Sequence, residues 1–155
     1  MPSPNELDGS GDGVLSFILR GHLSNCYEFI YWPFVKNTIT NPFRHFTNDD
    51  YVRKGLRAAM KRLEVNKPGF KHQHHGTYFM IRSCTRSAFV LLAAHFKGNL
   101  KDLMPNGWFE TIWSVVDLLG FWQDNLPPAR RWRDMMTHLM NQVFLEPENE
   151  VRINN

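Results

Sequence analysis

Cysteine is scarce in this chain: two, Cys26 and Cys84, stand among 155 residues, each inside an apolar run. Two isolated thiols offer no disulfide framework, which points to a reducing compartment. A long hydrophobic run is missing as well. A membrane span needs about 18 or more uninterrupted apolar residues, and the richest stretch, Val14 to Val35, is broken by Arg20, His22, Asn25 and Glu28. No membrane contact is therefore expected. The start, MPSPNELDGSGDG, has neither the basic beginning nor the apolar stretch of a signal peptide. Internal repeats and alternating strand patterns with hairpin signals are absent too, which leaves little room for a sheet.

What the chain does have is apolar bulk. At 43% hydrophobic and 14% aromatic, it is long enough for one domain with a substantial core. The net charge is +3, but acids concentrate at the ends: Glu6, Asp8 and Asp12 in one tail, Glu146, Glu148 and Glu150 against Arg152 in the other. Between the tails 17 cations face 9 anions. Such a basic body is compatible with nucleic acid, with an acidic partner or with an ordinary solvated surface.

Residues 1–13 and 145–155 carry too little apolar surface to fold and read as flexible tails flanking a domain over 14–144. Within it, apolar residues recur at helical spacing. A first helix over about 14–32 has the stripe Leu15, Ile18, Leu19, Cys26, Phe29 and Ile30, is expected to be deeply buried, and ends or kinks at Pro33. A second starts at Thr47 or Asn48, with Asp49 and Asp50 in its first turn, and presents Val52, Leu56, Ala59, Met60 and Leu63. A third, from Thr77 to Phe96, carries Met80, Ile81, Cys84, Ala88, Leu91 and Leu92 and is apolar all round after Ala88, which marks it as central. The fourth has Pro105 near its start, then Trp108, Ile112, Val115, Val116 and Leu119. The fifth follows Pro127 and Pro128 with Trp132, Met135, Met136, Leu139 and Val143. The expected fold is all-α, a compact bundle of about five helices with flexible termini.

Four groups invite a chemical role. His72, His74 and His75 are clustered imidazoles, the commonest metal ligands. Yet the spacing matches no zinc pattern, and side chains just ahead of Thr77 also serve to satisfy helix-end amides. Cys84 as a nucleophile fails on reach, since a helix continued back to His75 separates the two by about 14 Å. It reads as a small buried apolar residue, as does Cys26. Arg82 and Arg86, one turn apart on the central helix, need anions if buried. Glu28, the only acid in the first helix, and Asp117 in the fourth are the expected partners, with an anionic effector the alternative. Finally, Arg53, Lys54, Arg57 and Lys61 form a basic face on the second helix that could meet nucleic acid or an acidic partner, but no helix-turn-helix, zinc finger or exposed stacking series accompanies it.

Two longer stretches, HLSNCYEFIYWPFV (22–35) and HQHHGTYFMIRSCTRSAFVLLAAHF (72–96), are followed by MPNGW (104–108). These resemble the C-terminal helical region of fungal zinc-cluster transcription factors, in which blocks of the form CYExIYWP, HxHHGTW, LRSCTRSAL and MPxGW occur in the same order. The match covers roughly residues 20–140, and Tyr78 stands where the family block has tryptophan. The resemblance implies a nuclear regulatory domain, with the cytoplasm as the other compartment, acting through proteins of the transcription machinery, a homodimer or an effector, and carrying no catalytic residue. It also implies that zinc belongs to a six-cysteine DNA-binding module that two cysteines cannot build. No cofactor and no direct DNA contact are then expected of this chain, which would be the C-terminal piece of a longer protein, a shortened product or a stand-alone relative. The alternative readings are a metal-dependent enzyme using the histidine cluster and a nucleic-acid-binding domain using residues 53–61.

Overall fold

The computed structural model describes residues 11–41, 48–73, 76–97 and 100–153. Five α-helices follow one another: α1 (Gly11–Thr40), α2 (Asp49–Asn66), α3 (Thr77–Phe96), α4 (Trp108–Trp122) and α5 (Pro127–Ile153), with short 3-10 turns at Lys67–Gly69 and Lys101–Leu103. Among the described residues there is no strand. The fold is all-α, as the helical spacing of apolar residues predicts.

The core forms where apolar stripes of α2, α3, α4 and α5 converge. Val52, Leu56, Ala59, Met60 and Leu63 of α2 are all buried, as are Met80, Ile81, Cys84, Ala88, Leu91 and Leu92 of α3. Helix α4 adds Ile112, Val115, Val116 and Leu119, and α5 adds Met136 and Met140. Each buried Val, Leu, Ile or Met among them contributes about 1.5–3 kcal/mol by leaving water, so these stripes outweigh local propensity. Helix α3 is central: it packs on α2, α4 and α5 and touches α1. Its buried Thr85 hydroxyl donates to the Ile81 carbonyl at 2.8 Å, so small polar residues sit in the core without an unmet hydrogen bond. The indole N–H of Trp122 donates to the Phe70 carbonyl at 2.7 Å and ties the end of α4 to the turn after α2.

Loop chemistry sets the remaining boundaries. Gly107, at φ 74°, takes the left-handed conformation just before Trp108, where a side chain would be strained. Pro105 stands just ahead of this turn, near the start of α4. Asn48 occupies the N-cap position of α2, with Asp49 and Asp50 in the first turn.

Several expectations are corrected. Helix α1 does not stop at Pro33 but continues through it to Thr40. Proline inside a helix costs roughly 3 kcal/mol. Here Pro33 is on the exposed side, and the extra turns bury Val35 and Thr38 and stack Phe34 on Tyr51 with ring centroids 4.7 Å apart. Nor is α1 deeply buried: Leu19, Cys26, Phe29 and Ile30 are exposed, because α1 lies at the edge of the bundle against α2. Met135 is exposed on α5 for the same reason of geometry, the neighbouring Met136 taking the core side. Helix α1 begins at Gly11 and α5 ends at Ile153, so helix overlaps residues 11–13 and 145–153 of the stretches read as tails.

The seat of α1 on α2 is a glycine. A Cβ at Gly55 would stand 2.5 Å from Val35 Cγ2 and 3.0 Å from Tyr31 Cβ, so the two backbones approach only because position 55 has no side chain. In an open helix Gly→Ala adds about 0.5–1 kcal/mol of stability. At this seat the sign reverses. Gly55→Ala is expected to lower unfolding stability by about 1–3 kcal/mol, the cost of overpacking, read as a lower urea midpoint at unchanged m-value.

Candidate functional site

Asn25 and Glu28 are three residues apart on α1, so both project from one face toward α2 and α3. Arg62, near the end of α2, meets them. Its Nε donates to Glu28 Oε1 and its Nη2 to Asn25 Oδ1, the latter at 2.6 Å. From α3, Arg86 Nη2 donates to Glu28 Oε2, and the Ser87 hydroxyl lies 2.8 Å from Oε1. One carboxylate thus serves two guanidinium groups from two helices. Exposure separates the roles: the Arg62 side chain is 3% exposed and Glu28 13%, whereas Arg86 is 49% exposed. The Arg62 pair is a buried charge that needs its partner, and the Arg86 pair is half in water and weaker.

The pairing differs from the expected one. Arg86 does meet Glu28, but Arg82 is exposed and Asp117 lies exposed on α4, joined to neither arginine. A guanidinium on a central helix can still reach solvent when its turn faces the bundle edge. The buried arginine is Arg62, which the spacing did not single out. One signal was present: Gly55 and Arg62 are seven residues apart, hence on one face of α2, opposite Val35 and Glu28, seven apart on α1. Antiparallel helices with those registers bring glycine to valine and arginine to glutamate.

Beside this hub α1 and α3 diverge, leaving a groove of about 880 Å3. Its walls carry the rings of Phe29 and Trp32 from α1, Phe79 and Phe89 from α3, and Trp132 from α5. Lys36, Arg82 and Arg86 add positive charge, and among the described residues no carboxylate lines it. The Arg86 guanidinium also lies 5.9 Å from the centre of the Phe29 ring, within cation–π range. A smaller chamber of about 210 Å3 reaches inward to Glu28, Gly55 and Ser87, sharing Phe29, Trp32, Arg86 and Val90 with the groove. Arg86 and the two rings stand at the boundary between the two spaces.

The other candidates are not brought into this site. Of the histidines, His72 is exposed, and its carbonyl accepts from the Thr77 hydroxyl at 3.2 Å, a helix-start contact. His74 and His75 lie outside the described residues, among which no group of three His, Cys, Asp or Glu could hold a metal. Cys26, expected in the core, is exposed, while Cys84 is buried and burial pushes its thiol up to about 12. One surface thiol and one buried thiol do not fit a six-cysteine zinc cluster. On α2, Lys54 pairs with Asp50 at 2.6 Å and Lys61 with Glu64 at 3.8 Å, so half of the expected basic face is neutralised locally; Arg53 is half-buried and Arg57 exposed. The Asp50 hydrogen bond and charge hold the Lys54 ammonium above its usual value. No described helix is long and apolar enough to cross a membrane.

No protein-family model, no curated protein and no solved structure matches this chain.

Two measurements check the site. Glu28→Gln leaves Arg62 buried beside a neutral amide and is expected to cost about 3 kcal/mol, a fall of roughly 6–12 °C in Tm, against about 1 kcal/mol or less for Arg86→Ala. Equal effects would contradict the assignment of Arg62 as the buried partner. A thiol-reactive disulfide reagent at pH 8 should titrate one thiol per native chain, at Cys26, and two in denaturant.

Proposed function

We propose that this chain is a regulatory, protein-contacting module of the fungal zinc-cluster type, working in the nucleus by receiving a partner or effector in the α1–α3 groove. The observation that carries the reading is the groove itself, in which five aromatic rings and three cations face an open cleft. Rings supply apolar contact area at little entropic cost, and guanidinium groups supply directional bonds to anions, which together are binding chemistry. The blocks shared with the fungal regulators support it from another side. CYE contributes Glu28, RSCTRS contributes Arg82, Arg86, Ser87 and the buried Cys84, and MPNGW contributes the Gly107 turn. Glu28 and Ser87, 59 positions apart, thus meet in one hub with Arg86, and Arg82 stands on the wall beside it. Zinc has no part in this reading.

Fusing the chain to an unrelated DNA-binding domain in a fungal host tests the proposal. Output from a reporter carrying that domain's site should move, up or down, relative to the domain alone at matched protein level. Phe79→Lys, which puts a charge among the groove rings at an exposed α3 position that does not line the Glu28 chamber, should abolish the shift while leaving the circular dichroism spectrum unchanged. A reporter indifferent to the fused chain would overturn the reading.

A further inference from the structure

We propose that the α1–α3 groove is built for an acidic amphipathic helix of a partner protein, whose carboxylates, spaced one turn apart, meet Arg82 and Arg86 while its apolar stripe covers Phe29, Trp32 and Phe79. The inference rests on the regulatory reading above and names the partner chemistry of that groove.

Length is the first argument. The groove walls reach from Asn25 to Thr40 on α1 and from Phe79 to Ala93 on α3. At 1.5 Å per residue that is about 20 Å of each helix, four turns, the span over which a docked helix presents anchors at i, i+3, i+4 and i+7.

Exposure decides the size of the occupant. Phe29 is 67% exposed, Phe79 58% and Trp32 43%. A small-molecule site buries most of its ligand between walls that are themselves largely out of water. Rings standing this far out are covered only by something laid across both helices. A helix about 10 Å in diameter does that, whereas a slender acyl chain in the cleft leaves the outer edges wet.

Charge selects the partner. Among the described residues no carboxylate lines the groove beside Lys36, Arg82 and Arg86, and neither Lys36 nor Arg82 has an ion pair there. A second copy docked face to face would set the same cations against one another, and like charges across an interface cost affinity. An acidic helix neutralises them. Arg82 and Arg86 are four residues apart on α3, so they offer guanidinium groups at the spacing of acids placed i and i+4 on a facing helix. Arg86 already leans on Glu28 from the groove edge, so an incoming carboxylate there shares it with the hub, while Arg82 is open to the newcomer.

The experiment uses the full chain and a fluorescein-labelled helical peptide of about 18 residues, with Leu and Trp at i, i+3, i+4 and i+7 and Glu at two positions one turn apart, followed by fluorescence anisotropy. Controls are the same peptide with Lys for Glu and a scrambled version. Saturable binding of the Glu peptide only is expected. Arg82→Glu should weaken it by about tenfold and give measurable affinity for the Lys peptide, a reversal that loss of fold cannot produce. Trp32→Ala should weaken the Glu peptide without restoring the Lys peptide. Binding that ignores the peptide's charge, or an Arg82→Glu variant that binds as tightly as the native chain, overturns the proposal. So does tight, Arg82-dependent binding of dodecanoate with no peptide binding, which would assign the groove to a small anionic amphiphile. Concentration-dependent dimerisation abolished by Trp32→Arg, again with no peptide binding, would assign it to a second copy. A reporter shift that survives Arg82→Glu refutes this inference and leaves the regulatory reading standing; peptide binding with a silent reporter does the reverse.

Discussion

Glu28 is an acid on an edge helix, and three helices are tied together through its two oxygens. Arg62 is almost wholly removed from water at the end of α2, and a guanidinium there is tolerated because Glu28 supplies the opposite charge and Asn25 a further acceptor. The obligation runs both ways, since the position of α1 is set by the need to deliver that carboxylate. Apart from the hub, the described part of α1 buries little: Val35 and Thr38 are its buried residues. The contact with α2 at Gly55 and the ion pair at Arg62 are seven residues apart, two turns of helix, and two fixed points define the line of approach. Arg86 joins from α3 with half its side chain still wet, so the third helix is attached by the weaker bond.

That order of strength explains the cleft. With α1 seated on α2 and only lightly joined to α3, the far side of α1 has no neighbour among the described residues and its apolar residues stay in contact with water. Exposed aromatic rings in such number are costly unless something covers them some of the time. The cations standing among them keep the surface soluble and favour acidic over basic neighbours. The Glu28 hub and the groove share Arg86 and Phe29, so whatever occupies the cleft also bears on the bond that joins α1 to α3.

Much of the fold was legible in the residues. For α2 and α3 every apolar residue of the stripes is buried, because neighbours stand on those faces, although the same faces also bury Gly55, Arg62, Ser83, Thr85 and Ser87, which apolar spacing does not mark. The boundaries of α3 at Thr77 and Phe96 follow from the same periodicity. Helix α1 departs from its pattern because apolar spacing reports that a face would gain from burial, not that a neighbour stands there; Leu19, Phe29 and Ile30 satisfy the pattern yet face solvent. Pro33 fails to end the helix because its local penalty is outweighed by the burial of Val35 and Thr38 and the ring stack of Phe34 in the turns beyond it. At the site, the acid Glu28 and the arginine Arg86 were legible as chemistry that needs partners, whereas Arg62 was hidden among the basic residues of α2, where composition cannot tell a solvated arginine from a buried one.

By itself the sequence determined the class of fold, the helices, the core stripes of α2 and α3, and the presence of charges that demand pairing, because these depend on spacing along one helix. Only the tertiary structure decided which arginine is buried, that Asp117 stays apart, that α1 lies at the edge and that a groove opens beside it. Those outcomes depend on the distance and angle between helices far apart in the chain, set here by a missing Cβ at Gly55 and a shared carboxylate at Glu28, and no periodicity within a single helix encodes them.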